Sequence, residues 1–211
     1  MNSAHIARRA PWCQHIKMKL KNAYHHGNLK AGLLSEAHRQ LELRGYETLS
    51  LRALAAAAGV APSAPYNHFN SRGQILAALI ADGSRILAAR YETALNAPGT
   101  AMDRLELACL EHLSFANERP GLFRLMFVAN IDWEQELNEP IENYLVAFPV
   151  FEKLIAATIS APDVLHINAK ALAVWAMIHG MALLNFNGRL WRRYSDGQSD
   201  LSVIRAVLRH N

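Results

Sequence analysis

The sequence predicts an all-α protein: an N-terminal three-helix helix-turn-helix unit, joined by one long helix to a larger C-terminal helical domain. Three observations predict it. Apolar residues recur at three- and four-residue spacing along the chain, and no stretch keeps the two-residue alternation of a strand. Residues 50–72, SLRALAAAAGVAPSAPYNHFNSR, read as two short helices around a tight turn. Charge is unevenly divided: residues 1–72 carry ten Lys+Arg against three Asp+Glu, and residues 73–211 carry twelve against fifteen. A basic end on a mildly acidic remainder is the footprint of nucleic-acid binding. Its bland alternative is a solvated tail, because Arg8, Arg9, Lys17, Lys19 and Lys21 all lie in the first 21 residues.

Residues 1–22 have no apolar period and are expected to be a disordered basic arm. The first helix is expected over 29–44, with Asn28 as cap, Gly45 as stop, and Leu33, Leu34, Ala37 and Leu41 as its inner stripe. Ser50 is placed to cap the next helix, whose apolar face is Leu51, Leu54, Ala55 and Ala58. Gly59 ends it, since glycine takes the left-handed conformation without a Cβ clash, and Val60 can plug the corner. A further helix is expected from Ala61-Pro62, where proline is tolerated in the first turn. It would be the one that enters the DNA major groove.

A long helix is expected over 73–95, capped by Ser71, with Ile75/Leu76, Leu79/Ile80, Ile86/Leu87 and Tyr91 on one face. Pro98 and Gly99 make a turn. Helices are then expected over 101–117, from Pro120 through Phe127, from Trp133 toward Ile159 with Pro140 and Pro149 bending or dividing it, over 162–190, and over 199–209. The most apolar run, 171–184, is shorter than the roughly 20 residues of a membrane span, so it reads as a buried helix with no membrane role.

The stretch LSLRALAAAAGVAPSAPYNHFNSRGQIL resembles the DNA-binding domain of the TetR family of bacterial repressors. Leu49, Leu54-Ala55, Ala58-Gly59-Val60, Tyr66, His68-Phe69 and Ser71-Arg72 carry the likeness, in register over about fifty residues. The resemblance implies domains at 23–72 for DNA and 73–211 for ligand binding and dimerisation. It implies a cytoplasmic homodimeric repressor on a near-palindromic double-stranded operator, with half-sites about one helical turn, roughly 34 Å, apart. A hydrophobic small-molecule effector would release it from DNA; control by a protein partner is the alternative. Residues implied at the DNA are Tyr24, His25 and His26 before the first helix, then Ser50, Arg52, Pro62, Ser63, Ala64, Tyr66, Asn67, His68 and Arg72. Tyr66 either meets a phosphate or holds its helix down; His68 either meets DNA or closes a helix end. Arg72 stands where a lysine is commoner and is expected to reach a phosphate. Phe69 is assigned to the core. Pro65 is less usual than an aliphatic residue and leaves a small reading surface. The segment from Met18, MKLKNAYHHGNL, looks like a usual start for such chains, so residues 1–17 are an upstream start, an added remnant, or an arm on the DNA backbone.

Farther on, Trp175, His179 and Gly180 in VWAMIHGMALL resemble the W…HG motif of one C-terminal subgroup of the family. Trp175 and His179, four apart, share a helical face and either line a ligand cavity or belong to the core. Phe115, Phe123, Met126, Phe127, Tyr144 and Phe148 are further candidates for an apolar pocket. Leu183 and Leu184 are candidates for the dimer interface on the 162–190 helix.

Other chemistry finds little support. Cys13 and Cys109 make no disulfide framework and suit a reducing compartment. A redox switch through them is a minor alternative. His25-His26 are adjacent on a loop without a nearby Cys, so no metal is expected. G-x-S-x-G, P-loop, H-E-x-x-H and G-x-G-x-x-G patterns are absent, and no cofactor or enzymatic activity is expected. Glu134, Glu136, Glu139 and Glu142 read as a solvated helix face.

Overall fold

The computed structural model describes residues 29–132, 140–188 and 199–209. Among them the regular elements are eight α-helices and three short 3₁₀ turns, with no strand. The helices are α1 (Leu29–Arg44), α2 (Leu51–Ala58), α3 (Arg72–Leu95), α4 (Ala101–Glu118), α5 (Pro120–Phe127), α6 (Phe148–Ala156), α7 (Val164–Asn187) and α8 (Asp200–Arg209).

The helix ends follow the signals in the sequence. Ser50 Oγ accepts from Ala53 N at 3.1 Å, and Ser71 Oγ accepts from Gln74 N at 3.2 Å. Gly59 adopts φ +68°; its N–H donates to Ala56 O, and Val60 N donates to Ala55 O, the paired bonds of a Schellman stop. Leu33, Ala37, Leu41, Leu54 and Phe69 are buried together and fix the N-terminal unit. Along α3, Ile75, Leu76, Leu79, Ile80, Leu87 and Tyr91 are buried, Ile86 only partly. This helix touches α1 on one side and α4, α5 and α6 on the other, so it runs through both domains.

Two expectations change, and one left open between bending and division is decided. Residues 61–71 form no α-helix. A 3₁₀ turn, Ala64–Asn67, stands there instead. Ala64 N donates to Ala61 O and Tyr66 N to Ser63 O, three residues back in each case. Pro65 has no N–H to give Ala61 O the four-back bond of an α-helix, and the tighter turn results. The stretch from Trp133 toward Ile159, expected to be bent or divided at Pro140 and Pro149, is divided. Residues 133–139 lie outside the described residues, Pro140 precedes a 3₁₀ turn at Ile141–Tyr144, and Pro149 lies in the first turn of α6.

The second change concerns α7. It buries Val174, Ile178, Met181 and Ala182, but Leu165, Leu172, Ala173, Ala176 and Leu183 on the other side are exposed. It is thus buried on one face only, although Val164–Phe186 is long and apolar enough by length and composition to cross a membrane. Its neighbour α8 is anchored on α4 by ions: Arg205 Nε donates to buried Glu106 at 2.9 Å, Arg209 Nε donates to the same carboxylate, and Arg209 Nη2 donates to Asp103 at 2.6 Å.

Arg72 works inside the N-terminal unit. Its Nε donates to Leu49 O at 3.0 Å and its Nη2 to Tyr46 O at 2.8 Å, tying the start of α3 to the loop before α2. The guanidinium thus has a structural role beside the phosphate contact expected of it. Arg72→Ala is expected to lower the unfolding free energy by about 1.5–3 kcal/mol, the range for a hydrogen bond to a charged group. Denaturant titration measures the loss. Operator affinity of the still-folded variant decides the second role: a salt-dependence slope lowered by about one shows the phosphate contact, and the wild-type slope removes it.

Candidate nucleic-acid interface and buried histidine cage

Around the turn that replaces the second helix, Ser50, Arg52, Pro62, Ser63, Asn67 and His68 are exposed, and Tyr66 is 48% exposed. Ala64 is half-buried, and Pro65 and Phe69 are buried beneath them. Pro65 O accepts from both His68 N and Phe69 N at 3.0 Å, which fixes the outward course of residues 66–68. Their side chains therefore stand on a rigid base. Tyr24, His25 and His26 lie outside the described residues.

The C-terminal candidates converge, and the structure adds His112, which the sequence did not single out, and the hydroxyl of Tyr91, read there only as part of an apolar face. His112 of α4 is fully buried, and the Tyr91 hydroxyl lies 2.7 Å from its Nδ1. The His112 ring lies 4.6 Å from the His179 ring, and His179 lies 4.3 Å from Trp175. Phe123 and Phe127 surround both imidazoles at 4.7–6.0 Å, and Phe148 meets Trp175 at 4.3 Å. His179 Nδ1 donates to Trp175 O at 3.1 Å, since a carbonyl only accepts. Nε2 of each imidazole is buried without a hydrogen-bond partner among the described residues. Met126, Phe127, Phe148 and Trp175 line an adjoining cleft with Tyr91 and Phe151; at about 10 Å³ it has room for about one water molecule. Phe115 is fully buried and, like Tyr144, lies outside that lining. His112 offered no motif or heptad partner in the sequence. Only its place on the inner face of 101–117, beside Leu105, Ala108 and Leu113, could have marked it.

α5 connects this cage to the N-terminal unit. Glu42 of α1 accepts from Gly121 N at 2.8 Å and Leu122 N at 3.1 Å. A Cβ on Gly121 would stand 2.7 Å from Leu41 O, so the two helices meet backbone to backbone. Elsewhere, Cys109 is buried, and burial followed by Glu106 pushes its thiol up to about 12. Such a thiol is inert, which removes it from the redox alternative; Cys13 lies outside the described residues. Among the described residues no group of three or more His, Cys, Asp and Glu side chains could hold a metal ion.

The profile described as "Bacterial regulatory proteins, tetR family" matches residues 33–79, and that of the "Tetracyclin repressor-like, C-terminal domain" matches 105–209. The chain belongs to the TetR family of bacterial regulators. It is therefore a DNA-binding transcriptional regulator, and the exposed residues around 50–68 are on the domain that binds DNA. Nucleoid occlusion factor SlmA of Vibrio vulnificus is 29% identical over 141 residues, 57% of this chain and 72% of that protein. A protein with unknown function from Rhodococcus sp. RHA1 is similar in structure, with TM-score 0.69 and 30% identity over 89% of this chain and 95% of that one. The regulator FadR from Bacillus subtilis, solved in complex with stearoyl-CoA, shares the fold at TM-score 0.61 and 19% identity, over 85% of this chain and 96% of that one.

The buried imidazoles make stability depend on pH. Burial pushes His179 down to about 4 against the opposing bond to Trp175 O, and pushes His112 well below its ordinary value, helped by His179. An unfolded histidine titrates near 6.5. Between about 6.5 and 4 the unfolded chain therefore binds protons that the fold refuses. Stability is complete above that window and falls as pH drops through it, approaching about 1.4 kcal/mol per pH unit for each imidazole. Melting temperatures from pH 7.5 to 4.5 should show this fall, and His179→Phe should flatten it. Parallel profiles for the two proteins would mean that His179 is not buried neutral.

Proposed function

We propose that this regulator is a homodimeric, ligand-responsive repressor. It places Ser63, Tyr66, Asn67 and His68 of each subunit at one half of a near-palindromic operator, and an apolar effector entering the cage releases it. Its place of work is the cytoplasm, where the DNA is. The observation that carries the reading is α5: its inner residues Phe123 and Phe127 belong to the cage, while its first N–H groups are bonded to Glu42 of the DNA-binding domain. An effector that displaces Phe127 or Met126 pushes on a helix whose other end holds α1. The effector must favour the DNA-incompetent state for anything to shift.

The exposed face of α7 supports dimerisation. Leu165, Leu172 and Leu183 alternate with Ala169, Ala173, Ala176 and Gly180 at helical spacing, and a Cβ on Gly180 would meet open space. A two-fold crossing of such faces would bury the leucines and bring two helices close over the small residues. Of the two interface candidates, Leu183 is exposed and Leu184 half-buried, so Leu183 is the partner-facing one. A second reading, control by a protein partner, has the likeness to SlmA behind it; the same apolar face would serve it.

Operator fragments recovered from genomic DNA, followed by binding titrations with and without candidate effectors, test the proposal. Log affinity should fall linearly with log salt. Tyr66→Phe should weaken binding by about 0.5–1.5 kcal/mol with melting nearly unchanged if the hydroxyl meets a phosphate. Leu183→Arg should yield monomers with steeply reduced operator affinity. A soluble Leu183→Arg dimer in light scattering would move the interface elsewhere. Should a broad screen find no compound that releases the operator, the protein-partner reading takes over.

Finally, Glu42→Ala should keep operator binding and blunt the response to an effector. A full response in that variant would remove the Glu42 bond from the route.

A further inference from the structure

Within the ligand-responsive reading, on which this rests, we propose that the effector is an uncharged molecule with a hydroxyl on an apolar body. The hydroxyl bridges Nε2 of His112 and Nε2 of His179. The His179 tautomer follows from the bond at its other ring nitrogen, and the His112 tautomer is part of the proposal. His179 Nδ1 faces a carbonyl, which only accepts, so Nδ1 carries the proton and Nε2 presents a lone pair. His112 Nδ1 faces the Tyr91 hydroxyl, which is buried and has no other hydrogen-bond partner among the described residues. If that hydroxyl accepted from Nδ1, its own hydrogen would be stranded in the core. Either tautomer leaves one hydrogen without a partner among the described residues, on the Tyr91 hydroxyl or on His112 Nε2; the second is the one proposed, in which Tyr91 donates to Nδ1 and a ligand oxygen at Nε2 completes the set. His112 Nε2 then carries a proton.

The cage therefore offers one donor and one acceptor on rings 4.6 Å apart, and neither has a partner among the described residues. An oxygen within about 2.8 Å of each nitrogen can bridge them. A hydroxyl matches the pair: its oxygen accepts from His112 and its hydrogen goes to His179. A carboxylate has no hydrogen for His179, and a divalent metal needs lone pairs on both nitrogens. A hydrocarbon satisfies neither. Phe123, Phe127 and Trp175 supply faces for an aromatic or aliphatic body. The adjoining cleft is small, so the body enters by displacing Met126, whose flexible thioether rests over Gly83.

The test uses the whole protein with three probes of similar shape, 4-ethylphenol, ethylbenzene and 4-ethylbenzoate, and with Zn²⁺ alone. Nitrogen-15 spectra of labelled histidines should place the proton on Nε2 of His112 and on Nδ1 of His179. 4-Ethylphenol should move both sets of signals, raise the melting temperature, and bind at least about tenfold more tightly than ethylbenzene, the worth of one buried hydrogen bond. His179→Phe should still bind both compounds and lose that preference. Ethylbenzene binding as tightly as 4-ethylphenol, a preference that survives in His179→Phe, or a proton on Nδ1 of His112 would overturn the proposal while leaving a ligand-responsive regulator standing. Stronger shifts with 4-ethylbenzoate or Zn²⁺ would overturn it in the same way. If no probe moves either imidazole the proposal also falls; the broader reading falls separately, on a screen in which nothing releases the operator.

Discussion

Two backbone N–H groups at the start of α5 have no acceptor in their own helix, and the carboxylate that takes them belongs to the other domain. Pro120 brings no N–H, Phe123 N already bonds Arg119 O, and Glu42 accepts from Gly121 and Leu122. The first turn of α5 is thereby fully satisfied. A carboxylate beside a helix N-terminus also meets the positive end of its dipole. The close approach needs glycine at 121, because a Cβ there would collide with the backbone of α1. Everything on the far side of α5, including Phe123 and Phe127, takes its position from that junction. The DNA-binding unit and the cage are thus parts of one packed object, with α3 as a second strut between them.

Most of the fold was legible because it is written in local signals. Serines at 50 and 71, glycines at 45 and 59, and the apolar stripe of α3 each act within a turn or two of where they stand, and pattern reading finds them. The 3₁₀ turn at Ala64–Asn67 escapes a helix pattern for a local reason as well: Pro65 lacks the N–H that an α-helix needs there, and in so short an element that one bond sets the winding. The pairing of Glu42 with Gly121, seventy-nine residues away, has no such trace. The same holds for Arg72, whose partners at Leu49 and Tyr46 are backbone atoms that no side-chain pattern announces.

The candidate site divides similarly. Trp175 and His179 were readable as a pair because both are on α7 at four-residue spacing. The partner that gives them chemistry, His112, comes from α4 and is brought close only by the packing of α4 on α7. The apolarity of α7 was legible in the sequence; within the single chain only one of its faces is covered. Composition reports what a surface prefers to touch; it does not say whether the contact lies in the same chain. Val174 and Ile178 face the chain's own core, and Leu172 and Leu183 face away from it.

Stability alone does not account for the two imidazoles. A core of this kind, built from Phe123, Phe127, Phe148, Phe151 and Trp175, would pack a further phenylalanine at position 179 without any desolvated nitrogen. Each unpartnered buried polar atom instead costs about 1–3 kcal/mol. Tyr91 offsets part of that cost for His112, and Trp175 O offsets part for His179, but each bond secures only Nδ1 and leaves Nε2 without a partner among the described residues. The remaining Nε2 atoms lie buried beside the two rings, Phe123 and Phe127, that α5 carries. A molecule that satisfies them gains hydrogen bonds that water cannot easily compete for. It does so at the point where moving a ring moves the helix tied to the DNA-binding domain.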